Sequence, residues 1–543
     1  FTTSQVRCID VSKSFSPIQT GIGFLDHMID QINSHAQVGV GMTVHHHVDL
    51  NSLTSAGNNN SNSNRNIYNS DGKNDNHNNG NSNSKKDAES PTTAGSSSRD
   101  DEGGQSNNKN GRHNVEVSYE DHNRLADCNQ VSLVKHVGWT LGSQLALLPK
   151  FLGLEDDAMI HSRFCCPLDE ALVECVLTKP AGSHKKRKSI IGLNTMTETT
   201  AATATPTPKE GRLVEYTLPP FGIFPKHQGR LFIGKLQTAA LEEFWKSVAK
   251  SSGLEITLRK IRGENGHHIV ESSFKAFSRA FRNLLDGTDT KEDLLLNAQY
   301  QQAMWGATSH NWKASLALQR QGSVERSTKE TKIRVQLALD GGAAGVAVQT
   351  GIQTLDDFFT VLAKEASMSL HIDCTGDLWV DDHHTAEDVA IAVGQVLTQA
   401  LGTKAGLNRM WCAQQSVEQS ITTTTNNNNL NETEMVEVTM DLSNRPCLTH
   451  NLGLAESTDE MAGDLSVEML DHVLDSLVVN GRMTVHILLL PDNDNGRTRT
   501  SPSSVKDRAM ATAAAFGKAL KYCAMVDSRR AGQTASSKGT LSV

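Results

Sequence analysis

The 543-residue chain has no long apolar run, no basic excess and no paired cysteine spacing. Each absence excludes a class of protein. Without about 18 consecutive apolar residues a membrane span is not expected. Lys and Arg total 52 against 61 Asp and Glu, so the electrostatic footprint of a nucleic-acid binder is missing. Nine cysteines fall without metal-knuckle spacing and Cys165 and Cys166 are neighbours, which predicts reduced thiols in an intracellular compartment rather than a disulfide framework or a zinc knuckle. Aromatic content is modest, and the length exceeds a single core, so a soluble globular chain of two or more domains is expected. The sequence opens at Phe1 rather than Met, which leaves its location open between cytoplasm and plastid.

Residues 51–113 are dominated by Asn, Ser, Gly and Asp, a composition that cannot bury enough apolar surface to offset ordering entropy. They are expected to be a disordered insertion, with shorter tracts of the same character at 181–210 and 421–434. The basic Lys185-Lys186-Arg187-Lys188 run within the second tract reads as a solvated loop.

Against that background stands His383-His384-Thr385-Ala386-Glu387, opening the apolar Val389-Ala390-Ile391-Ala392-Val393 stretch. Glu387 lies one helical turn after His383 and shares its face, so the two can grip one ion, while His384 points about 100° away around the axis. Two neighbouring imidazoles suggest two metals. A second element of the same kind, His267-His268-Ile269-Val270-Glu271, opens the Phe274, Phe277, Phe281 stripe. Each is too poor alone to fill a coordination sphere.

The chain also repeats itself. Thr20-Gly21-Ile22-Gly23-Phe24-Leu25-Asp26-His27 returns as Thr350-Gly351-Ile352-Gln353-Thr354-Leu355-Asp356-Asp357, and alternating strands such as Lys332 to Leu339 and Met483 to Leu489 interleave with helices such as Leu355 to Glu365 and Thr385 to Leu401. This predicts a duplicated α+β architecture. A first copy spans 1–290, a connector 291–324 and a second copy 325–543.

With these motifs the chain resembles imidazoleglycerol-phosphate dehydratase, a histidine-biosynthesis enzyme, present as a tandem fusion. The second copy carries Arg326-Ser327-Thr328-Lys329-Glu330-Thr331, Asp382-His383-His384-Thr385-Ala386-Glu387-Asp388, Asp441-Leu442-Ser443-Asn444-Arg445-Pro446 and the tail Arg529-Arg530-Ala531-Gly532 through Ser536-Ser537-Lys538-Gly539. The first carries the Thr20 to His27 motif continuing to His35, and Gly263 to Glu271 followed by Phe274-Lys275-Ala276. The resemblance implies two modules of repeated sheet-and-helix half-domains like domain 2 of ribosomal protein S5. It also implies a high-order homo-oligomer with sites between subunits, two Mn²⁺ per site, and dehydration of the small phosphorylated substrate imidazole glycerol phosphate to imidazole acetol phosphate. By the same resemblance the ligands are His27, His267, His268 and Glu271 from the first copy and His383, His384, Glu387 and His472 from the second.

Aligning the copies shows that each lacks what the other keeps. In the second, Asp357 stands for His27, Glu365 for His35, and Lys506, Asp507 and Met510 for His267, His268 and Glu271. In the first, anchoring Gly142 on Gly394 puts Val131, Ser132 and Lys135 opposite His383, His384 and Glu387, with Glu243 opposite His472. A charged ammonium has no lone pair and Val and Met do not bind a hard dication, so only a site joining one copy to the other can be complete.

A mixed nitrogen and oxygen donor set suits Mn²⁺ and requires neutral imidazoles, which predicts loss of activity in acid. Glu330 is the expected general base, with Glu271 and Glu387 as competitors. For the phosphate end the resemblance implies Arg409, Arg445, Ser536, Ser537 and Lys538, with His35 and Lys275 completing the pocket from the first copy. Arginine suits that role by its bidentate fork. The rival readings are a degenerate metal-binding assembly protein and a two-metal phosphoester hydrolase, since the same ligands also suit activating water.

Overall fold

The computed structural model describes residues 4–9, 18–44, 130–148, 151, 154, 160–180, 211–287, 320–342, 345–417, 434–490, 503–530, 534, 536 and 541. The expected insertion at 51–113, the tract at 181–210, nearly all of 421–434 and of the connector, and Ser537 and Lys538 lie outside them.

The first half of the chain runs β1 (Ser4–Ile9), β2 (Ile18–Gln19), α1 (Gly23–Ala36), β3 (Gly39–Val44), α2 (Gln130–Leu145), β4 (Ile160–Leu168), β5 (Ala171–Lys179), β6 (Arg212–Thr217), β7 (Phe232–Ile233), β8 (Leu236–Gln237), α3 (Ala240–Ser252), β9 (Glu255–Arg262) and α4 (Gly266–Asp286). The second half runs β10 (Gln321–Ser327), β11 (Thr331–Ala338), β12 (Val346–Gln349), α5 (Gln353–Ala366), β13 (Ser369–Gly376), α6 (His383–Leu401), β14 (Met410–Ser416), β15 (Met435–Asp441), β16 (Cys447–His450), β17 (Met461–Ala462), β18 (Leu465–Ser466), α7 (Val467–Asn480), β19 (Thr484–Leu490) and α8 (Val505–Ala524).

One topology recurs. Three four-stranded sheets have the orders β4-β5-β9-β6, β10-β11-β13-β12 and β14-β15-β19-β16, and a three-stranded sheet has the order β1-β3-β2. In each, the last two strands pair in parallel and are joined through a helix, α3, α5, α7 or α1, while the remaining pairings are antiparallel. β11 shows why the sequence folds so: Ile333, Val335 and Leu337 are buried while Lys332, Arg334 and Gln336 between them are exposed, the two-residue period of a strand with one wet face. The buried faces close two large cores. One draws on residues 333–524 and the other on residues 22–285 together with Met410. In the latter, Phe274, Phe277 and Phe281 of α4 are fully buried, each contributing about 2 kcal/mol of burial.

The repeat is carried into local geometry. Gly21 and Gly351 both adopt positive φ, 88° and 87°, and behind them the Thr20 and Thr350 backbone N–H groups donate to Asp26 and Asp356 at 2.7 and 2.8 Å, turning the chain into α1 and α5. The Gly142 and Gly394 equivalence also holds in space. A Cβ on Gly142 would lie 2.5 Å from the Val248 carbonyl oxygen and one on Gly394 2.9 Å from that of Leu477, so α2 approaches α3 as α6 approaches α7.

Candidate metal and substrate sites

The sequence-predicted ligands gather in two separate groups. In the first half, α1 presents His27 from its first turns and α4 presents His267 and Glu271. Asn265 starts α4 by accepting the His267 N–H on its side-chain oxygen at 2.9 Å. His27 Nε2 lies 3.9 Å and His267 Nε2 3.1 Å from Glu271 Oε2, and the ligand atoms of all three residues lie within 4.8 Å of one another. Lys275 holds the other Glu271 oxygen at 2.8 Å. Burial alone would raise the Glu271 carboxyl, but Lys275 and the hydrogen bonds to His267 and His27 outweigh it and keep the group well below the usual carboxylate range. It is therefore an anion between two imidazoles, a donor set that fits a divalent ion.

His268 points elsewhere, as its position on the helix requires. Its Nδ1 lies 2.7 Å from Glu170 Oε2 and its Nε2 3.6 Å from Asp169 Oδ2. The hydrogen bond to Glu170, first, raises the imidazole's pKa, while Glu170 itself is brought down to about 2 by His268 and the Asn265 N–H against the opposing effect of its burial.

In the second half, His383 Nε2 lies 3.7 Å from Glu387 Oε2, and the His472 ring on α7 sits 5.4 Å from that of His383. His384 turns aside to Asp377, Nδ1 to Oδ2 3.1 Å, with Glu330 3.9 Å from its Nε2. The hydrogen bond to Asp377 raises the His384 pKa. Both His-His pairs thus share one plan: one imidazole with its own helix carboxylate, the other steadied at Nδ1 by a carboxylate from a neighbouring turn, which leaves Nε2 for a ligand. Among the described residues, the three so closely gathered are His27, His267 and Glu271, all from the first half.

The candidate phosphate residues do bridge the two halves. His35 is wholly buried on α1, and neither ring nitrogen has a hydrogen-bond partner. Burial, then the charges of Lys275, Arg409, Arg530 and Arg279, drive its pKa far down, so it is neutral amid four cations. Arg530 Nη1 donates to the Ser34 carbonyl at 2.7 Å and Arg279 to that of Met410 at 3.2 Å, which fixes the tail and β14 against the first half. The Arg409 fork, expected from the sequence to clamp phosphate, is engaged with Asp441 through bonds of 2.7 and 2.8 Å. Arg445 lies 3.1 Å from Asp169. The Ser536 backbone N–H donates to the Thr534 carbonyl at 2.8 Å. Sequence reading missed Glu170, Asp377, Arg279 and Arg530. Of these only Arg530 stood in a quoted motif, the Arg529-Arg530 tail, while Glu170, Asp377 and Arg279 carried no signal of their own.

Mixed sheets whose helices gather imidazoles and carboxylates define a candidate metalloenzyme. Residues 214–281 and 350–520 match the family model for imidazoleglycerol-phosphate dehydratase. A chloroplastic imidazoleglycerol-phosphate dehydratase of Pisum sativum is 37% identical over 224 residues, covering 41% of this chain and 69% of that protein. An imidazoleglycerol-phosphate dehydratase of Neurospora crassa is 36% identical over 249 residues, covering 41% and 96%. A solved imidazoleglycerol-phosphate dehydratase from Staphylococcus aureus is 22% identical, with a TM-score of 0.29 over 38% of this chain and 99% of that one. The chain belongs to the imidazoleglycerol-phosphate dehydratase family. The matched stretches contain every candidate metal ligand except His27, and they leave Glu330 and the tail outside.

Proposed function

We propose that the chain builds its catalytic centre between copies of itself, joining the His27, His267, His268, Glu271 group of one copy to the His383, His384, Glu387, His472 group of another. Family membership makes it a hydro-lyase that dehydrates imidazoleglycerol phosphate in histidine biosynthesis. The observation that carries the composite reading is the complementary loss: each half of the chain gathers a different part of the ligand set, and neither part completes a coordination sphere.

The eight residues would hold two Mn²⁺ ions, which when bound polarise the substrate's imidazole and stabilise charge that develops on it. The protein's own groups account for the rest. Glu330, half-exposed in the turn between β10 and β11 and 3.9 Å from His384, takes the proton from the carbinol carbon as the C–O bond on the neighbouring carbon breaks and its hydroxyl leaves, protonated, as water. Glu170 and Asp377 fix the rings of His268 and His384. The neutral His35 and the surrounding cationic groups receive the phosphate, with Lys275, paired to Glu271 at 2.8 Å, among them. Arg445, Ser536, Ser537 and Lys538 belong to the same pocket in this reading. Arg409, committed to Asp441, contributes positive field rather than a clamp. A high-order assembly follows from sites shared between copies, and a plastid location is the reading favoured by the pea relative's being named chloroplastic. None of the described helices is long and apolar enough to cross a membrane.

The test is complementation. His267→Ala and His383→Ala should each abolish turnover, because every site then lacks one half. Reassembled one to one from dissociated chains, the two variants should recover about a quarter of the activity, since random pairing puts an intact group against an intact group in that share of contacts. No recovery after exchange has been demonstrated by mass would place both groups in one chain or refute sharing altogether.

A further inference from the structure

The blanked ligand positions are not empty surface. Where the second half carries Glu387 and His472, the first carries Lys135 and Glu243, whose Nζ and Oε2 lie 3.0 Å apart between α2 and α3. Where the first half carries His27 and His267, the second carries Asp357 and Lys506, with Nζ and Oδ2 3.8 Å apart between α5 and α8. Each vestigial group thus holds a lysine–carboxylate pair across the very helix pair that carries metal ligands in the other half.

The exposure of these groups matches that of the ligands they replace. The side chains of Lys135, Asp357 and Lys506 are 53%, 41% and 41% exposed, beside 38% for Glu387, 34% for His27 and 42% for His267. Exposed pairs of this kind add little to the folding of a single chain. The two faces are opposite in sign, with Glu243 held between Lys135 and Lys246, each at 3.0 Å, on one, and Asp357 and Asp507 beside Lys506 on the other. An ammonium group cannot bind a cation, yet it supplies the positive charge that an ion would bring to a cluster of carboxylates.

Resting on the composite site proposed above, we propose a second seam between copies of this chain, in which the α2/α3 face meets the α5/α8 face and lysines stand where ions stand in the first. The two halves share one topology and one local geometry. Contact between copies that unites the metal-binding faces therefore has a counterpart uniting the vestigial faces. The chain binds two ions rather than four. One seam is chelator-sensitive and the other salt-sensitive.

Inverting one face while preserving its internal pair tests this in the full-length, Mn²⁺-loaded protein. Lys135→Glu with Glu243→Lys, made together with Lys246→Gln because Lys246 lies 3.0 Å from Glu243, is one inversion, and Asp357→Lys with Lys506→Asp is the other. Sedimentation velocity across a salt series should show either inversion alone releasing smaller particles at several-fold lower salt than wild type, and both together restoring the wild-type profile. Should an inversion misfold by circular dichroism, the neutral Lys135→Gln, Glu243→Gln face takes its place and should likewise lower the salt of release. Unchanged profiles for both single inversions, or no restoration in the combined variant, would overturn the second seam. Metal content by mass spectrometry separates this from failure of the composite site: two Mn²⁺ per chain, kept in every face variant and lost in His267→Ala, upholds the first seam whatever happens to the second.

Discussion

His486, wholly buried on β19, donates its Nε2 hydrogen to the Asp169 carbonyl at 2.8 Å and so anchors from the second half the turn that aims Glu170 at His268. Burial, only partly opposed by that bond, lowers its pKa from 6.5 to about 4. The folded state therefore binds fewer protons than the unfolded chain between those values, and stability rises with pH across that window. Its contribution is complete above pH 6.5 and is lost as pH falls toward 4, a difference of about 3 kcal/mol at 1.36 kcal/mol per unit. Melting of metal-free protein should become shallower in its dependence on pH between 4 and 6.5 in His486→Gln; an unchanged slope would mean that the imidazole is not held neutral. The His267–Glu271 and His383–Glu387 contacts were legible because Glu follows His at helical spacing. The role of Glu170 was not, since it meets His268 from 98 residues away.

Elements were legible where periodicity was strong. The helix expected from Thr385 to Leu401 is α6, begun two residues earlier at His383, and the strand expected from Lys332 to Leu339 is β11, shifted by one residue. β10 begins at Gln321, inside the stretch read as connector, because Gln321–Ser327 contains a single large apolar residue, Val324, and offers no alternation to detect. The Gly142 and Gly394 alignment, a matter of register in the sequence, becomes a packing constraint in the fold. A Cβ at Gly394 would stand 2.7 Å from that of Asn480 and 2.9 Å from the Leu477 carbonyl oxygen, and backbone cannot yield as a flexible side-chain end can. Gly394→Ala should destabilise the protein by about 1–3 kcal/mol through overpacking of α6 on α7. Because those helices carry His383 and His472, Mn²⁺ affinity measured by calorimetry should fall with it. Wild-type stability and affinity together would show that the helices separate freely.

At the scale of the whole molecule, the two halves are joined by a charged contact that has no sequence signature, since its partners lie 274 residues apart. Arg163 on β4 reaches Glu437 on β15 with Nη1 at 2.6 Å and Nη2 at 3.1 Å, while its Nε donates to Glu174 at 2.5 Å. Glu437 is wholly buried and accepts a further bond from Gln414 at 2.6 Å. Around this contact Cys165 and Leu172 of the first half pack with Leu488 of the second. Desolvation works against the guanidinium, but the neighbouring anionic groups prevail and raise its pKa, so Arg163 is the fixed counter-charge of a buried carboxylate. Removing one partner leaves the other charge without compensation, at a cost of about 3–5 kcal/mol, whereas replacing both by apolar groups of similar volume restores much of the loss. Arg163→Met should therefore lower the melting temperature of the chelated protein sharply, and Arg163→Met with Glu437→Leu should recover most of it. The double variant should also bind Mn²⁺ as wild type does, because the contact lies on the sheets and touches neither ligand group. If the two losses simply add, the pair is not coupled, and the apolar packing around Cys165 and Leu488 is what joins the halves.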